Sequence, residues 1–329
     1  MSNRGQLAHV VDEVLETSVV GSFTRLGYVA RSRLEQWRDP NFALGRHVVI
    51  TGATSGLGLA AASRLAALGA HVHLVGRNEA KLTSARAHVQ LFTAGEVWTH
   101  RCDLSLLSDT RSLALELCAL DAPIDALVHN AGALLSAYTA TREGLETTLA
   151  THLLSPYLLT EHLLAHGGFA PNARIITMTS GGMYTERFDL ARLMMTVDAY
   201  RGTIAYARAK RAQCVLTTYW QKAHATTGVS FHLVHPGWAA TPGLTSGIPL
   251  FERVLKPLLR TADQGADTLV WLVGAPTNEP KGGQLWLDRH PRSLYRLKKT
   301  RFSEAEEFNA GEQLAQWCDE QIAHALNET

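Results

Sequence analysis

Seven short apolar runs punctuate the chain: His47 to Ile50, His71 to Gly76, Val97 to Cys102, Ile124 to His129, Arg174 to Thr179, Val229 to His235 and Gly283 to Leu287. Each reads as a strand, and the first, continuous rather than alternating, as a buried parallel one. Between them the period changes. Leu57, Ala61 and Leu65 recur at i, i+4 and i+8 and continue to Leu68, as a helix does when it packs one face on a sheet. Further helices are predicted over Glu143 to His166, around Tyr206, from Gly265 onward and over Ser303 to Ala325. Residues 1 to 45 differ. Apolar clusters (Val19-Val20, Leu26 to Val29) alternate there with Arg25, Arg31, Arg33 and Arg38 without clean segregation. They read as a helical arm packed on the domain or on a partner subunit, with peripheral contact to a membrane surface as the other reading.

Composition narrows the class. Of the 329 residues 46% are hydrophobic and 19% charged, which fits a soluble globular protein. That length could hold two domains, but one doubly wound α/β sheet can occupy roughly 250 residues. We therefore expect one domain, 46–329, behind the extension 1–45. A formal net charge of +1 gives no field for DNA or RNA, so no nucleic-acid partner is expected. The four cysteines form no CxxC pair, which argues for a reducing compartment. No run approaches the ~20 apolar residues of a membrane helix, and Asp12, Glu13 and Glu16 stand where a secretory signal would be apolar. The expected location is the cytoplasm.

The chemistry begins at Thr51 to Gly58, TGATSGLG, on the turn between the first strand and its helix. Glycines at 52, 56 and 58 allow a tight turn, close approach to a pyrophosphate and close helix packing, with the helix N–H groups aimed at the anion. At the end of the second strand, where NAD enzymes place a carboxylate for the ribose 2′-OH, stand Gly76, Arg77 and Asn78. The guanidinium suits a 2′-phosphate, so NADP(H) is favoured over NAD(H). His71 and His73 share a strand face, and His162 and His166 a helix face; neither pair has a third ligand near in sequence, and no metal site is expected. Ser180 ends the fifth strand, beside Gly181-Gly182. Tyr206 and Lys210 form a Y-x-x-x-K pair, whose spacing puts phenol and ammonium on one helix face.

TGxxxGxG, the strand-end serine, YxxxK, HNAG at 129–132, THLLSPYLLT at 151–160 and HPGWAAT at 235–241 occur in the order found in short-chain dehydrogenases/reductases, and the chain resembles that superfamily from about residue 45 to 329. SGGM, a long segment Met183 to Thr203, HPGW and a DR-x-P tail look most like the subgroup of dehydrogenase/reductase SDR family member 12, near the retinol-dehydrogenase-like enzymes. The resemblance implies a Rossmann-type doubly wound parallel sheet of seven strands, order 3-2-1-4-5-6-7, with helices on both faces. It also implies that Gly52, Thr54, Ser55, Gly56, Leu57 and Gly58 hold the cofactor with Arg77 and Asn78. Asp103 and Leu104 would hold the adenine; Asp103 could also N-cap the next helix. Asn130, Ala131 and Gly132 would lie near the nicotinamide ribose, and Pro236, Gly237 and Thr241 at the carboxamide and diphosphate. Tyr206 would exchange the proton, Lys210 would lower its pKa and bind the ribose, and Ser180 would bond the oxyanion.

Two departures stand out: His129 and His152 replace family asparagines. In the family the carbonyl at 152 holds a water linking the lysine to solvent, and Pro156, having no N–H, would free that carbonyl here. Phe188, Met194 and Met195 suggest an apolar lid, or a cap on the sheet edge, and Pro242 to Leu259 a mobile flap. The basic run Asp288 to Arg301 reads as a solvated tail. The implied activity is interconversion of a ketone or aldehyde with its alcohol on a small apolar molecule. The partner would be a second copy of the chain, as a homodimer or homotetramer built on the helices bearing His152 and Tyr206. The competing class is a nucleotide-binding regulatory or scaffold protein with little turnover.

Overall fold

A computed structural model describes residues 3–40, 43–93, 95–240, 255–276 and 279–327. Its centre is a sheet of β1 (His47–Thr51), β2 (His71–Gly76), β3 (Val97–Arg101), β4 (Ile124–His129), β5 (Phe169–Met178), β6 (Ser230–Val234), β7 (Gln284–Leu287) and β8 (His290–Arg292), in order 3-2-1-4-5-6-7-8. The first seven are parallel, in the order expected.

The eighth strand corrects the sequence reading. It is antiparallel to β7, and Asp288 and Arg289 make the two-residue turn between them at φ +56° and +60°. Such a turn takes left-handed backbone at both positions, which sequence rules expect from Asn or Gly. Asp288 is held there because it is buried and bonded by Arg260 (Nη1 2.5 Å, Nη2 2.9 Å) and Arg31 (2.7 Å). The run read as a solvated tail is therefore partly sheet and ion-paired.

Helices cover both faces. Val48, Ile50, Leu74, Val128 and Ile176 pack on one side against α4 (Gly56–Ala67), α5 (Glu79–Gln90) and α10 (Ala262–Gly274). On the other side Val49, Val75, Leu127, Ile175 and Phe231 pack against α6 (Leu107–Cys118), α8 (Ser155–Ala165), α9 (Gly202–Ala223) and the last helix, α11 (Glu304–Asn327). The alternation along each strand is what a two-sided pleated layer produces. The helix expected from Glu143 starts later, as α7 (Thr147–Leu149), whose first N–H groups are capped by Glu146. Glu143 instead caps α6, accepting from Leu107 N (2.6 Å) and Ser108 N (2.9 Å).

The arm is three helices, α1 (Asn3–Glu16), α2 (Val19–Phe23) and α3 (Arg25–Glu35). Some of its charged residues face inward: Asp12 binds Arg31 (2.6 Å) and Arg292 (2.6 and 2.8 Å), and Glu16 binds Arg296. Burial raises the Asp12 carboxyl pKa, but the Arg292 and Arg31 guanidiniums outweigh that and hold it down at about 2. Leu7, Val10 and Val14 stand on the outer face, each more than half exposed. No helix among the described residues is long and apolar enough to cross a membrane.

Candidate active site

The glycine turn and the HNAG turn form one unit. Thr51 Oγ1 donates to Val128 O (3.1 Å) and accepts from the N–H groups of Asn130 and Ala131 (3.0 Å each). Asn130 Nδ2 donates to Thr51 O (2.9 Å) and Gly52 O (3.3 Å). The glycines are required by contact: a Cβ on Gly52 would stand 2.8 Å from Ala131 Cα, and one on Gly58 would stand 2.5 Å from both Asn130 Nδ2 and Gly52 O. Gly52 and Gly56 also have φ of +66° and +55°. No side chain caps the first turn of α4, so its N–H groups stay open at the crossing of β1 and β4. This cradle fits a dinucleotide pyrophosphate.

On the β2 side, Arg77 is exposed and has no partner among the described residues, while Asn78 caps α5 by accepting from Lys81 N (3.0 Å). A groove of about 460 Å³ runs between the glycine turn and α5, lined by Thr54, Ser55, Leu59, Lys81, Ser84 and His88 among others. Asp103 accepts from Ser105 N and Oγ (3.0 and 2.8 Å) and does not cap α6, whose first turn Glu143 has taken. Leu104 is buried, its carbonyl bonded by Ser155 Oγ at 2.7 Å.

Ser180, Tyr206 and Lys210 converge at the carboxyl end of β5. Ser180 caps the short 3₁₀ turn Gly181–Tyr184, and its hydroxyl stands beside the Tyr206 phenol. The Lys210 ammonium, buried at 3% exposure, donates to Met178 O at 2.7 Å and lies 5.6 Å from the Tyr206 ring centre. Burial takes the ammonium pKa down to about 7. Burial also pushes the phenol up, with the Ser180 hydroxyl offsetting part of it, so the lowering expected from Lys210 is not what this geometry gives. The ammonium is turned to a main-chain carbonyl and its charge is weakened by desolvation.

Both histidines that replace family asparagines are built in. His129 Nε2 bonds Thr160 Oγ1 at 2.8 Å, and His152 Nε2 lies 3.0 Å from Ala133 O, its ring edge-on to Tyr206 at 5.1 Å. A Cβ on Gly132 would strike the His152 ring at 2.2 Å. Burial first, and the nearby Lys210 second, push both imidazoles down to about 3. His152 lies in a π-helical turn, Ala150–Leu154, between α7 and α8. Its carbonyl accepts from Gln213 Nε2 at 2.5 Å. Gln213 escaped the sequence reading although a signal existed: it follows Tyr206 and Lys210 at i+7 and i+3 on the same helix face.

Pro236 and Gly237 form a turn in which Gly237 N donates to His235 Nδ1 (2.9 Å), and a Cβ on Gly237 (φ +72°) would meet Arg260 Nε at 2.2 Å. Thr241, and most of the flap from Pro242, lie outside the described residues. Phe188 and Leu193 are buried in the core shared with α11 and Met194 is 58% exposed, so these residues cap the fold's edge rather than line a pocket.

The family model for short chain dehydrogenases matches residues 46–247. The chain belongs to this family. Among other short-chain dehydrogenases, the bovine (Bos taurus) dehydrogenase/reductase SDR family member 12 is 35% identical over 290 residues, 87% of this chain and 90% of that one. That places the chain with the subgroup suggested by the SGGM, HPGW and DR-x-P motifs. Human (Homo sapiens) retinol dehydrogenase 12 is 31% identical over 74% of this chain and 78% of its own. A solved Beutenbergia cavernae protein, assigned as an NAD(P)-dependent gluconate 5-dehydrogenase with NADP bound at low occupancy, is 26% identical with a TM-score of 0.59, covering 75% of this chain and 96% of that one. A short-chain dehydrogenase is an oxidoreductase that uses a nicotinamide cofactor, and the cradle of Gly52, Gly56 and Gly58 is where this one would hold it.

Proposed function

We propose that this oxidoreductase is NADP(H)-dependent and interconverts a ketone or aldehyde on an apolar molecule with its alcohol. The observation that carries the reading is the convergence of Ser180, Tyr206 and Lys210 beside the glycine cradle. A bound nicotinamide supplies or takes the hydride. The chain's own groups handle the proton. A phenol pushed up by burial is protonated at neutral pH and can donate to a carbonyl oxygen, and Ser180, beside it, is placed to share the developing charge. Lys210 would hold the ribose. Arg77, unpartnered at the end of β2, would bind a 2′-phosphate. The NADP-bound Beutenbergia cavernae structure supports the choice of cofactor without extending to the substrate.

A second reading, a nucleotide-binding protein with little turnover, draws on Lys210 being turned onto Met178 O and on Gln213 occupying the His152 carbonyl. The two separate on a panel of apolar ketones, aldehydes and alcohols followed by nicotinamide absorbance. Tyr206→Phe should lower turnover on any substrate found by at least ~100-fold and leave the cofactor dissociation constant within about threefold, since it removes the proton and keeps the ring. Substantial activity in that variant would assign the proton to another group, and no turnover across the panel would favour the second reading. We place the protein in the cytoplasm. The homodimer implied by the resemblance would have to use other surfaces, because α11 lies across α9 and α8, burying Leu314, Ala315 and Cys318, with Tyr157 bonded to Asp319 (2.9 Å).

A further inference from the structure

The arm reaches the back of the reacting centre through one residue. Phe23, at the end of α2, is 2% exposed. Its ring stacks on His235 at 4.2 Å and 29°, and meets Trp238 edge-on at 5.9 Å. A Cβ built on Gly181, next to Ser180, would stand 3.5 Å from the same ring, and Tyr184 stacks on it at 6.3 Å. Its carbonyl accepts from Trp238 N (2.7 Å) and from Arg260 Nε (3.0 Å). Arg260 also donates to Ser22 O (2.8 Å), and its main-chain N–H donates to Trp238 O (2.8 Å). Two turns that flank the reacting groups, Ser180–Tyr184 and His235–Trp238, thus lean on one side chain from outside the sheet. Stacked rings resist sliding more than an aliphatic contact does, and main-chain bonds fix the height of the stack.

We infer that Phe23 is a positioning residue: the arm sets where the Ser180 turn and the His235–Trp238 turn stand relative to Tyr206. The inference deepens, and rests on, the oxidoreductase reading above. Displacing a reacting geometry by about 1 Å can cost ~100-fold in rate, so loosening this stack should be read in kcat and in cofactor binding before it is read in folding.

The test uses the full chain with Phe23→Ala and, in case that variant folds poorly, Phe23→Leu. Ile322→Ala, on the buried face of α11 and in a core cluster that does not include Phe23, is the control for lost packing. Hydrogen–deuterium exchange should rise in residues 181–185 and 235–240 for both Phe23 variants and stay unchanged there for the control. At equal folded fraction, Phe23→Ala should lower kcat ~10-fold or more and weaken nicotinamide-nucleotide binding, with Phe23→Leu intermediate and the control near wild type. Unchanged exchange in those segments overturns the inference while leaving the proposed function standing. Raised exchange with kcat no lower than in the control also overturns it, reducing Phe23 to packing. Failure of the unmodified protein to bind NADPH or NADH sinks both readings, and is distinguishable because it precedes any substitution.

Discussion

At Arg77 a single side chain decides between two cofactors. It is exposed and has no partner among the described residues, and no carboxylate stands at the end of β2 to accept a ribose 2′-OH. A charged hydrogen bond to a 2′-phosphate is worth ~1.5–3 kcal/mol, or a factor of about 10 to 100 in affinity. NADPH should therefore bind more tightly than NADH, and Arg77→Ala should remove most of the difference, read as two dissociation constants by titration. Equal constants in the unmodified protein would refute the assignment. Arg77 was legible in the sequence because the strand end and the missing acid are local facts. The glycines were legible for the same reason, although their contacts with Ala131 and Asn130 needed the fold. Phe23 was not legible: it is one of four aromatics in the arm, with Tyr28, Trp37 and Phe42, and only tertiary structure puts it against His235, more than two hundred positions away.

Among the elements, the π-helical turn at Ala150–Leu154 separates what the sequence could and could not foresee. Pro156 was expected to leave the carbonyl of His152 without a helical partner, and the structure does give that carbonyl a partner from outside the helix. The partner is the Gln213 amide, supplied by α9, the helix that also carries Tyr206 and Lys210. The imidazole, pushed down to about 3, is neutral throughout the physiological range. His152→Asn should therefore leave the shape of the pH–rate profile between about pH 6 and 8 unchanged, since a group of that pKa does not titrate there. An inflection near neutrality that disappears in the variant would show that the imidazole itself carries protons. Gln213→Ala, by leaving a buried carbonyl unpaired, should lower stability by about 1–3 kcal/mol, read from the melting temperature. The β7–β8 turn is the opposite case: Arg289 carries no turn signature, and the turn is held by Arg31 and Arg260 on Asp288 and by Asp267 on Arg289, partners distant in the sequence.

The whole molecule buries an unusual amount of imidazole, and that sets its response to acid. His73, His129, His152, His232 and His235 are each at most 3% exposed, and burial is the first cause pushing each down to about 3. His73 is the middle of a chain of ring contacts, 3.2 Å to His47 and 3.0 Å to His100, which ends on Glu116 at 2.8 Å. The sequence showed His71 and His73 on one face, but only the pairing of β1, β2 and β3 joins them to His47 and His100. In the unfolded chain these rings titrate near 6.5, so between about 6.5 and 3 the unfolded state binds more protons and stability must fall as pH falls. From pH 6.5 to 5 each ring costs on the order of 1–2 kcal/mol, and the five losses act in the same direction. Lys210, at about 7 in the fold, acts in the same sense from neutrality upward, until near pH 9 the thiols of Cys102, Cys214 and Cys318, pushed up by burial, begin to oppose it. Asp12, Glu35 and Asp288, held down by their partners, add their losses only at more acid pH. The expected result is a melting temperature that drops steeply between pH 6.5 and 5, with urea midpoints moving in parallel. A flat profile across that range would mean that the rings reach water or rearrange on protonation, and that the fold does not hold them neutral.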